Sequence, residues 1–279
     1  AGTCNNGVCV SSGVGCVSVC TSGAKQCSGT SGYQTCGDYN SDSCTEWGTA
    51  TACSSGEICS SGECVIGVTS CGVLLDQANK KYVLTQDITA SPSSPTCLQI
   101  TASDIILDGN NKKITGPGTV GVRSVSSSFN GITIENLAIE SSFTVGINLL
   151  GCNNNIIQKN KITGSDLGIS FLSDSGCSNN QIIDNEVTDS LQAGISLTNA
   201  DSNTIEKNIL KDNRGFGIIL TNSKNNNFKD NYVCVNSIIL SFNDFLCDSG
   251  SASNSYTGNT FTDEVSCTIS RSTNPAICP

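Results

Sequence analysis

Several residue types are missing or scarce: among 279 residues there is no histidine, no methionine and only one tryptophan. Without histidine, the chain cannot form a His-based general base, a Ser-His-Asp triad or a His-ligated metal site. Aromatic residues make up only 5% of the chain, so a surface for stacking sugar rings is not evident. No apolar run approaches the ~20 residues of a membrane-spanning helix, and we expect no membrane span.

The charge balance is acidic, with 14 Lys and Arg against 24 Asp and Glu, a net charge of -10. Such a surface repels phosphate backbones, so we expect no nucleic-acid partner. The eighteen cysteines are typical of an oxidising compartment and predict an extracellular or cell-surface protein. The chain begins at Ala1, a small residue of the kind left when a signal peptide is removed.

Residues 1–66 form a disulfide-rich module with very few aliphatic residues between its cysteines. A segment of this composition is held by disulfides, because it has too little apolar surface to bury. The absence of C-x-x-C pairs disfavours a zinc ribbon, and the pairing of the cysteines is left open. Residues 59–65 echo residues 4–10, so the chain starts on the tail of one module and continues through a second. This region resembles the small cysteine-rich modules of microbial secreted and surface proteins. Its ten cysteines are Cys4, Cys9, Cys16, Cys20, Cys27, Cys36, Cys44, Cys53, Cys59 and Cys64.

One stretch of this module has the D-x-N-x-D spacing of a calcium loop. Ser43 stands where such a loop has glycine, and Thr49 stands where it has a bidentate glutamate. A polar turn pinned by disulfides explains the same residues, so calcium is the alternative interpretation. The candidate ligands are Asp38, Asn40, Asp42 and Glu46.

The rest of the chain is organised as a repeat, visible as two apolar columns that step together by 23, 25, 23, 23 and 28 residues. Periods of this length indicate a solenoid, in which each coil is buried only by its neighbours. A third strand follows in each copy, beginning Gly-Ile at residues 146, 168, 194 and 217, with a looser copy at 121–124 and a later one at 237–240. Three short strands per repeat predict a three-sided coil. The first column is Ile134, Ile157, Ile182, Ile205, Phe228 and Tyr256, and the second is Ile139, Ile162, Val187, Leu210, Val233 and Phe261.

Equivalent residues of stacked coils lie ~4.8 Å apart, so sequence columns become physical ladders. One column predicts an asparagine ladder at a sharp corner, because Asn tolerates the left-handed conformation and its amide can bond to the Asn above and below. The residue before each rung alternates in charge: Lys159, Asp184, Lys207 and Asp230. We expect these neighbours to attract one another weakly. The rungs are Asn160, Asn185, Asn208 and Asn231, followed by Asn259, with Leu137 at the equivalent earlier position.

Residues 67–118 read as the entry cap and first coil, with Tyr82–Ile88, Cys97–Ile100 and Asp104–Asn110 as strand segments and turns. This opening, followed by asparagine-rich coils, resembles secreted right-handed parallel β-helix proteins of the pectate-lyase-like superfamily. The resemblance covers residues from about 70 to about 262. It implies an all-β, right-handed, three-sided parallel β-helix over 67–279, with coils at 119–262 and a C-terminal tail at 263–279. In that family the first segment covers the open end of the helix, and the isolation of Cys71 and Cys97 suggests a bridge that ties it down.

The remaining cysteines give three further expected pairs. Cys152 and Cys177 occupy the same place on adjacent coils, at a separation that a disulfide spans. Cys234 and Cys247 bracket an enlarged loop, and Cys267 and Cys278 pair by elimination.

A catalytic site is not evident, although the superfamily includes polysaccharide lyases, hydrolases and epimerases. The outward positions of the third strand are Asn148, Ser170, Ser196 and Ile219, none of them ionisable. Asp189 and Asp212 share a column and could share a proton or hold calcium. Turn residues at the corner of a coil explain them more simply.

These observations favour a structural protein without a cofactor over an enzyme. Strand edges at the ends of a solenoid favour association of copies, so we expect a self-associating filament or surface subunit, or an adhesive stalk. The alternatives are a polysaccharide-active enzyme and a β-helix that binds glycans or a cell surface without catalysis.

Overall fold

A computed structural model describes residues 3–5, 8–10, 16–92, 95–140, 142–150, 153–172, 176–234, 236 and 244–261. The chain divides into two compact units, residues 1–66 and 67–279. The described residues form strands and turns, with no helix among them. None of them therefore belongs to a helix that could cross a membrane.

The first unit is built from short antiparallel strands fastened by disulfides. β4 pairs with β3, β5 and β6, and four disulfides join Cys16 to Cys44, Cys20 to Cys36, Cys27 to Cys59 and Cys53 to Cys64. This is the stapled module that its composition predicts. Its strands are β1 (Thr3–Asn5), β2 (Val8–Val10), β3 (Lys25–Cys27), β4 (Gly32–Gly37), β5 (Glu46–Trp47), β6 (Thr51–Ala52), β7 (Glu57–Ser60) and β8 (Glu63–Val68).

The two similar sequence segments of this unit form the same hairpin. In β1–β2 the backbone of Cys4 lies opposite that of Cys9, and in β7–β8 Cys59 lies opposite Cys64. The repeated sequence therefore encodes a repeated local structure.

The second unit is a stack of three-sided coils, each side of which contributes one strand to a parallel sheet. Face 1 contains β10 (Lys81–Leu84), β13 (Ile106–Asp108), β16 (Thr133–Glu135), β19 (Ile156–Gln158), β22 (Gln181–Ile183), β25 (Thr204–Glu206), β28 (Asn227–Lys229) and β31 (Ser255–Thr257). Face 2 contains β11 (Ile88–Thr89), β14 (Lys113–Thr115), β17 (Ala138–Glu140), β20 (Lys161–Thr163), β23 (Glu186–Thr188), β26 (Ile209–Lys211), β29 (Tyr232–Cys234) and β32 (Thr260–Phe261). Face 3 contains β9 (Val73–Leu75), β12 (Thr96–Ile100), β15 (Val120–Ser124), β18 (Val145–Leu150), β21 (Leu167–Leu172), β24 (Ala193–Thr198), β27 (Phe216–Thr221) and β30 (Phe245–Cys247).

The interior is filled by the apolar columns. The middle residue of each short strand on faces 1 and 2 points inward, and from Ile134 to Val233 each is completely buried. In the last coils aromatic rings replace the aliphatic side chains: the ring of Phe228 stacks on Tyr256 at 5.3 Å and meets Phe245 edge-on at 5.0 Å. Burial there raises the pKa of Tyr256 to about 12. The sequence pattern thus predicts the core correctly.

The third-strand assignment needs one correction. The sequence pattern continues this column with residues 237–240, but Ile218 pairs with Phe245 and Leu220 pairs with Cys247. Residues 237–240 lie outside the described residues. The strand comes later because the chain first forms an enlarged connection after β29, and the apolar pattern alone does not reveal its length.

Of the cysteine pairs predicted for the second unit, some involve described residues and can be checked. Cys71 is bonded to Cys97, as the sequence suggests. The parallel bridge between Asn153 and Ser178 gives the two coils the register on which the Cys152–Cys177 prediction depends. Cys177 is buried, whereas Cys152 lies outside the described residues. Cys234 and Cys247 are both disulfide-bonded, and Cys267 and Cys278 lie outside the described residues. These three pairings remain predictions.

Candidate functional site: the corners and outer faces of the coils

The predicted asparagine ladder is buried and continuous. Each rung accepts, at its side-chain oxygen, the backbone N–H and the amide N–H of the rung before it. For Asn185 and Asn208 both distances are 3.0 Å. The amide of Asn208 also donates to the carbonyl of Ile182 at 2.8 Å. The ladder begins where the sequence places it, because Leu137 has only its backbone N–H to donate to Asn160.

The left-handed conformation falls one residue earlier than expected. The ladder asparagines are not the residues with positive φ; the preceding residues are, and Lys207 has a φ of 54°. The rung itself turns its amide inward to the backbone, which an exposed corner residue could not do. The left-handed residues of this corner are Asn136, Lys159, Asp184, Lys207 and Asp230, with Gly258 in the last coil.

Two more ladders stand at the other corners. In one, Asn203 donates its backbone N–H to Asn226 at 2.8 Å and its amide to the same oxygen at 3.0 Å. In the other, Asn213 donates its amide to Asn236 at 2.9 Å. Neither ladder is among the predictions from sequence, although their spacing matches that of the apolar columns. The first runs through Asn155, Asn180, Asn203, Asn226 and Asn254, and the second through Ser190, Asn213, Asn236 and Asp244.

The alternating charge column forms its direct ion pairs with strand residues. The ammonium of Lys207 lies 3.0 Å from Glu206, which also pairs with Lys229 at 3.2 Å. The hydrogen bond and charge of Glu206 raise the pKa of Lys207, and Asp184 and Asp230 add a weaker effect of the same sign. The attraction along the column is therefore secondary to the pairing with Glu206.

Asp189 and Asp212 occupy a coil corner, as their shared column implies. Each has a φ of 56° and directly follows a face 2 strand. Gly116 and Gly164 hold the equivalent positions in earlier coils, with φ of 96° and 81°. Asp is one of the few residues besides glycine that adopt this conformation readily. The turn geometry thus explains why aspartate occurs at both positions, and no catalytic role is needed to explain it.

The calcium-like loop brings three of its four candidates together. One carboxylate oxygen from each of Asp38, Asp42 and Glu46 lies within 4.8 Å of the others. These carboxylates already accept backbone N–H groups: Asp38 from Ser41, Asp42 from Cys44, and Glu46 from Tyr39. Asn40 accepts the N–H of Asp42 instead of joining the cluster. These hydrogen bonds hold the turn, and each carboxylate keeps further lone pairs that a cation could use.

Face 2 carries a shallow, open depression of about 510 Å³. Its polar lining combines opposite charges with hydroxyls, and the hydroxyls of Thr163 and Thr188 are 3.0 Å apart. Lys161 is 3.4 Å from Glu186 on the next coil. Such a surface can hydrogen-bond to polar groups of a ligand, but it offers no aromatic platform. The lining residues are Glu140, Ser142, Lys161, Thr163, Gly164 and Thr188.

The family model for the right handed beta helix region matches residues 119–277, which is more than half of the chain. The chain belongs to this β-helix family. No curated protein sequence matches it.

Solved structures with the same type of coil are remote in sequence. The Dettilon tailspike protein gp208 is 12% identical, with a TM-score of 0.43; the match covers 70% of this chain and 54% of the tailspike, so the chain spans about half of that protein. The mannuronan C-5 epimerase AlgE4 A-module of Azotobacter vinelandii is 12% identical, with a TM-score of 0.30 and coverages of 71% and 74%. Endopolygalacturonase I of Stereum purpureum, solved with two galacturonates, is 14% identical, with a TM-score of 0.35 and coverages of 72% and 90%.

This β-helix protein has disulfides in both units. Five pairs have both partners identified, four of them in the first unit, and Cys234 and Cys247 are disulfide-bonded as well. This number fits a secreted or extracellular protein, because cytosolic thiols are kept reduced.

Proposed function

We propose that this protein is an extracellular structural subunit that associates with copies of itself at a cell surface or in a filament. One observation carries the proposal: the polar side chains that recur in every coil are used to hold the coils together. Asn160, Asn185, Asn208 and Asn231 are all buried and bonded to the next rung. A coil whose distinctive residues all serve its own stacking is suited to be a scaffold.

Stiffness supports the same proposal. The three parallel sheets join each coil to the next, and from Asn155 onward the corner ladders add buried hydrogen bonds, so bending this part of the stack would break several of them at once. The Cys71–Cys97 disulfide fixes the first strand segments of the β-helix to each other. A unit of this kind resists bending, which is what a stalk or filament subunit requires.

The acidic candidates do not favour catalysis. Asp189 and Asp212 share a corner with Gly116 and Gly164, so the backbone conformation explains their positions. Their replacement by asparagine, which also tolerates this conformation, tests the enzyme hypothesis directly. Unchanged cleavage of a panel of polysaccharides by the double variant removes both residues from any catalytic role.

Self-association is tested by sedimentation velocity over a wide range of concentration, with electron microscopy of the same samples. We expect sedimentation coefficients that rise with concentration and elongated assemblies on the grid. A protein that stays monomeric at the highest concentration, with no assemblies visible, contradicts the proposal.

A second candidate function is glycan binding without catalysis at the face 2 depression. The observation that favours it is the grouping of the Glu140 carboxylate, the Lys161 ammonium and two threonine hydroxyls around one hollow. The test is a glycan array probed with the wild type and with a Lys161→Ala, Thr163→Val double variant. Binding that is equal in the two proteins excludes this site.

A further inference from the structure

The outer surface of face 3 differs in charge from those of the other two faces. Face 1 points Asp108, Glu135 and Glu206 outward in one register column, and face 2 points Glu140 and Glu186 outward. The two outward columns of face 3 contain no acidic residue within their strands and a single cation, Arg123. The first column is Leu74, Gln99, Arg123, Asn148, Ser170, Ser196, Ile219 and Leu246, and the second includes Val125, Leu150, Leu172, Thr198 and Thr221.

Carboxylates appear only at the two ends of the second column, outside the strands. Asp76 follows β9 and lies 3.4 Å from the hydroxyl of Tyr82. Asp248 follows β30 and accepts the backbone N–H of Asn222 and the hydroxyl of Ser251. The strands between them, β12 to β27, therefore form a surface without negative charge on a chain of net charge -10.

This surface also exposes apolar side chains. Leu74 and Leu172 are 50% and 48% exposed, and Val125 is 38% exposed. Leu191, at the border with face 2, is 48% exposed. Of these side chains, Leu172 and Val125 lie within the span of β12 to β27, so this surface is mainly neutral and polar with few exposed apolar groups.

We propose that face 3 is the surface through which two copies of this chain meet side by side. The inference rests on the proposed self-association and names where it occurs. A second copy is the occupant because two chains of net charge -10 repel each other wherever their carboxylates meet, and face 3 is where they can approach without that repulsion. The same approach covers the exposed Leu172 of both copies.

The arrangement is twofold, with the coils of the two copies running in opposite directions. The opposite orientation brings Arg123 of one copy against β24 of the other, where Ser196 points outward, and it keeps the two arginines apart. β18 and β21 then lie at the twofold axis, so Leu172 of each copy packs near its symmetry mate. An arrangement with coils running in the same direction would place Arg123 on Arg123.

The area sets the strength of this contact. Six strands at ~4.8 Å spacing, each ~20 Å long, present about 580 Å². A standard interface buries about 800 Å² per partner, so this contact is at the small end and predicts a reversible dimer.

The test compares two substitutions that add the same charge at similarly exposed leucine or isoleucine positions. Leu172→Asp places a carboxylate at the centre of face 3, and Ile106→Asp places one on face 1, where the side chain is 39% exposed. In sedimentation velocity we expect Leu172→Asp to weaken dimerisation at least about tenfold, because like charges meet across the axis, and Ile106→Asp to leave it unchanged. Circular dichroism and melting temperature verify that both variants are folded.

The outcomes separate this inference from the proposed function. A wild type that dimerises while Leu172→Asp and Ile106→Asp behave alike shows self-association through another surface and overturns the role of face 3. A wild type that never associates overturns both. Raising the salt concentration should strengthen the wild-type dimer, because it screens the remaining repulsion between the acidic copies; weakening by salt contradicts an uncharged interface.

Discussion

Replacing Asn208 by alanine tests how much the buried asparagine ladder stabilises the β-helix. The side chain is completely buried, and its oxygen accepts both N–H groups of Asn185, at 3.0 Å each. Its amide donates to the Asn231 oxygen at 3.0 Å and to the carbonyls of Ile182 and Glu206 at 2.8 and 3.1 Å. The substitution leaves the backbone N–H of Asn185 without this acceptor and opens a small void.

The cost can be estimated from the groups that lose partners. A buried polar group without a hydrogen bond costs about 1–3 kcal/mol. The Asn185 N–H and the Ile182 carbonyl are both affected, which together with the void predicts a loss of about 3–5 kcal/mol in the free energy of unfolding. The matched control is Asn227→Ala, in the same class of residue but exposed on face 1, where it only accepts a hydrogen bond from Ser255 at 3.0 Å. Its expected cost is below about 1 kcal/mol.

The assay is denaturant unfolding of the oxidised protein, followed by far-UV circular dichroism and by tyrosine absorbance, because the single tryptophan, Trp47, lies in the first unit and does not report on the β-helix. Two probes are needed because a solenoid can unfold in parts, and coincident curves justify a two-state free energy. A loss in Asn208→Ala no greater than that in Asn227→Ala refutes the view that the ladder stabilises the stack.

Burial raises the pKa of Tyr256 to about 12, so its contribution to stability is complete below the ordinary tyrosine pKa of about 10 and is lost as the pH rises towards 12; Tyr256→Phe should be less sensitive over that range in unfolding experiments. Asp189→Gly should keep or raise the melting temperature, whereas Asp189→Val should lower it, because a β-branched residue is strained at positive φ. Peptide mapping without reduction should recover Cys152 and Cys177 in one linked fragment, and two separate thiol peptides would contradict the pairing. Calcium should leave the melting temperature unchanged, because the loop groups only three carboxylates and has Thr49 in place of the bidentate glutamate; a rise that Asp42→Ala abolishes would show a site.

The coil could be predicted from sequence because its signals are redundant. Ile134, Ile157 and Ile182 repeat at the same steps as Ile139, Ile162 and Val187, and each column corresponds to one sheet. The rung residues Asn160, Asn185, Asn208 and Asn231 were likewise predictable, since a repeated polar residue between two apolar columns can only stack on itself. The register in which the strands of successive coils pair follows from these columns.

Other features depend on geometry that periodicity does not encode. The left-handed residue lies one position before the rung because the backbone must reverse before the amide can point inward, and Lys207 accepts this conformation without being a typical turn residue. The last strand of face 3 begins at Phe245 because the preceding connection has a length that the repeat does not set. The corner ladders at Asn203 and Asn213 do have a sequence signal, because their rungs stand at fixed distances from the apolar columns, two residues before the first column and three after the second. The lack of charge on face 3 becomes visible only once register shows which side chains point outward.

The uniform direction of the ladders has a consequence for how the chain can change its length. Every rung receives two N–H groups from one side and offers an amide to the other, as Asn185, Asn208 and Asn231 do in succession. A whole repeat of 23 residues can therefore be duplicated or deleted with each remaining rung finding an identical neighbour. A single inserted residue offers no such match, because it shifts three corners and three strands at once. The smallest change of length that preserves all the ladders is therefore one complete coil.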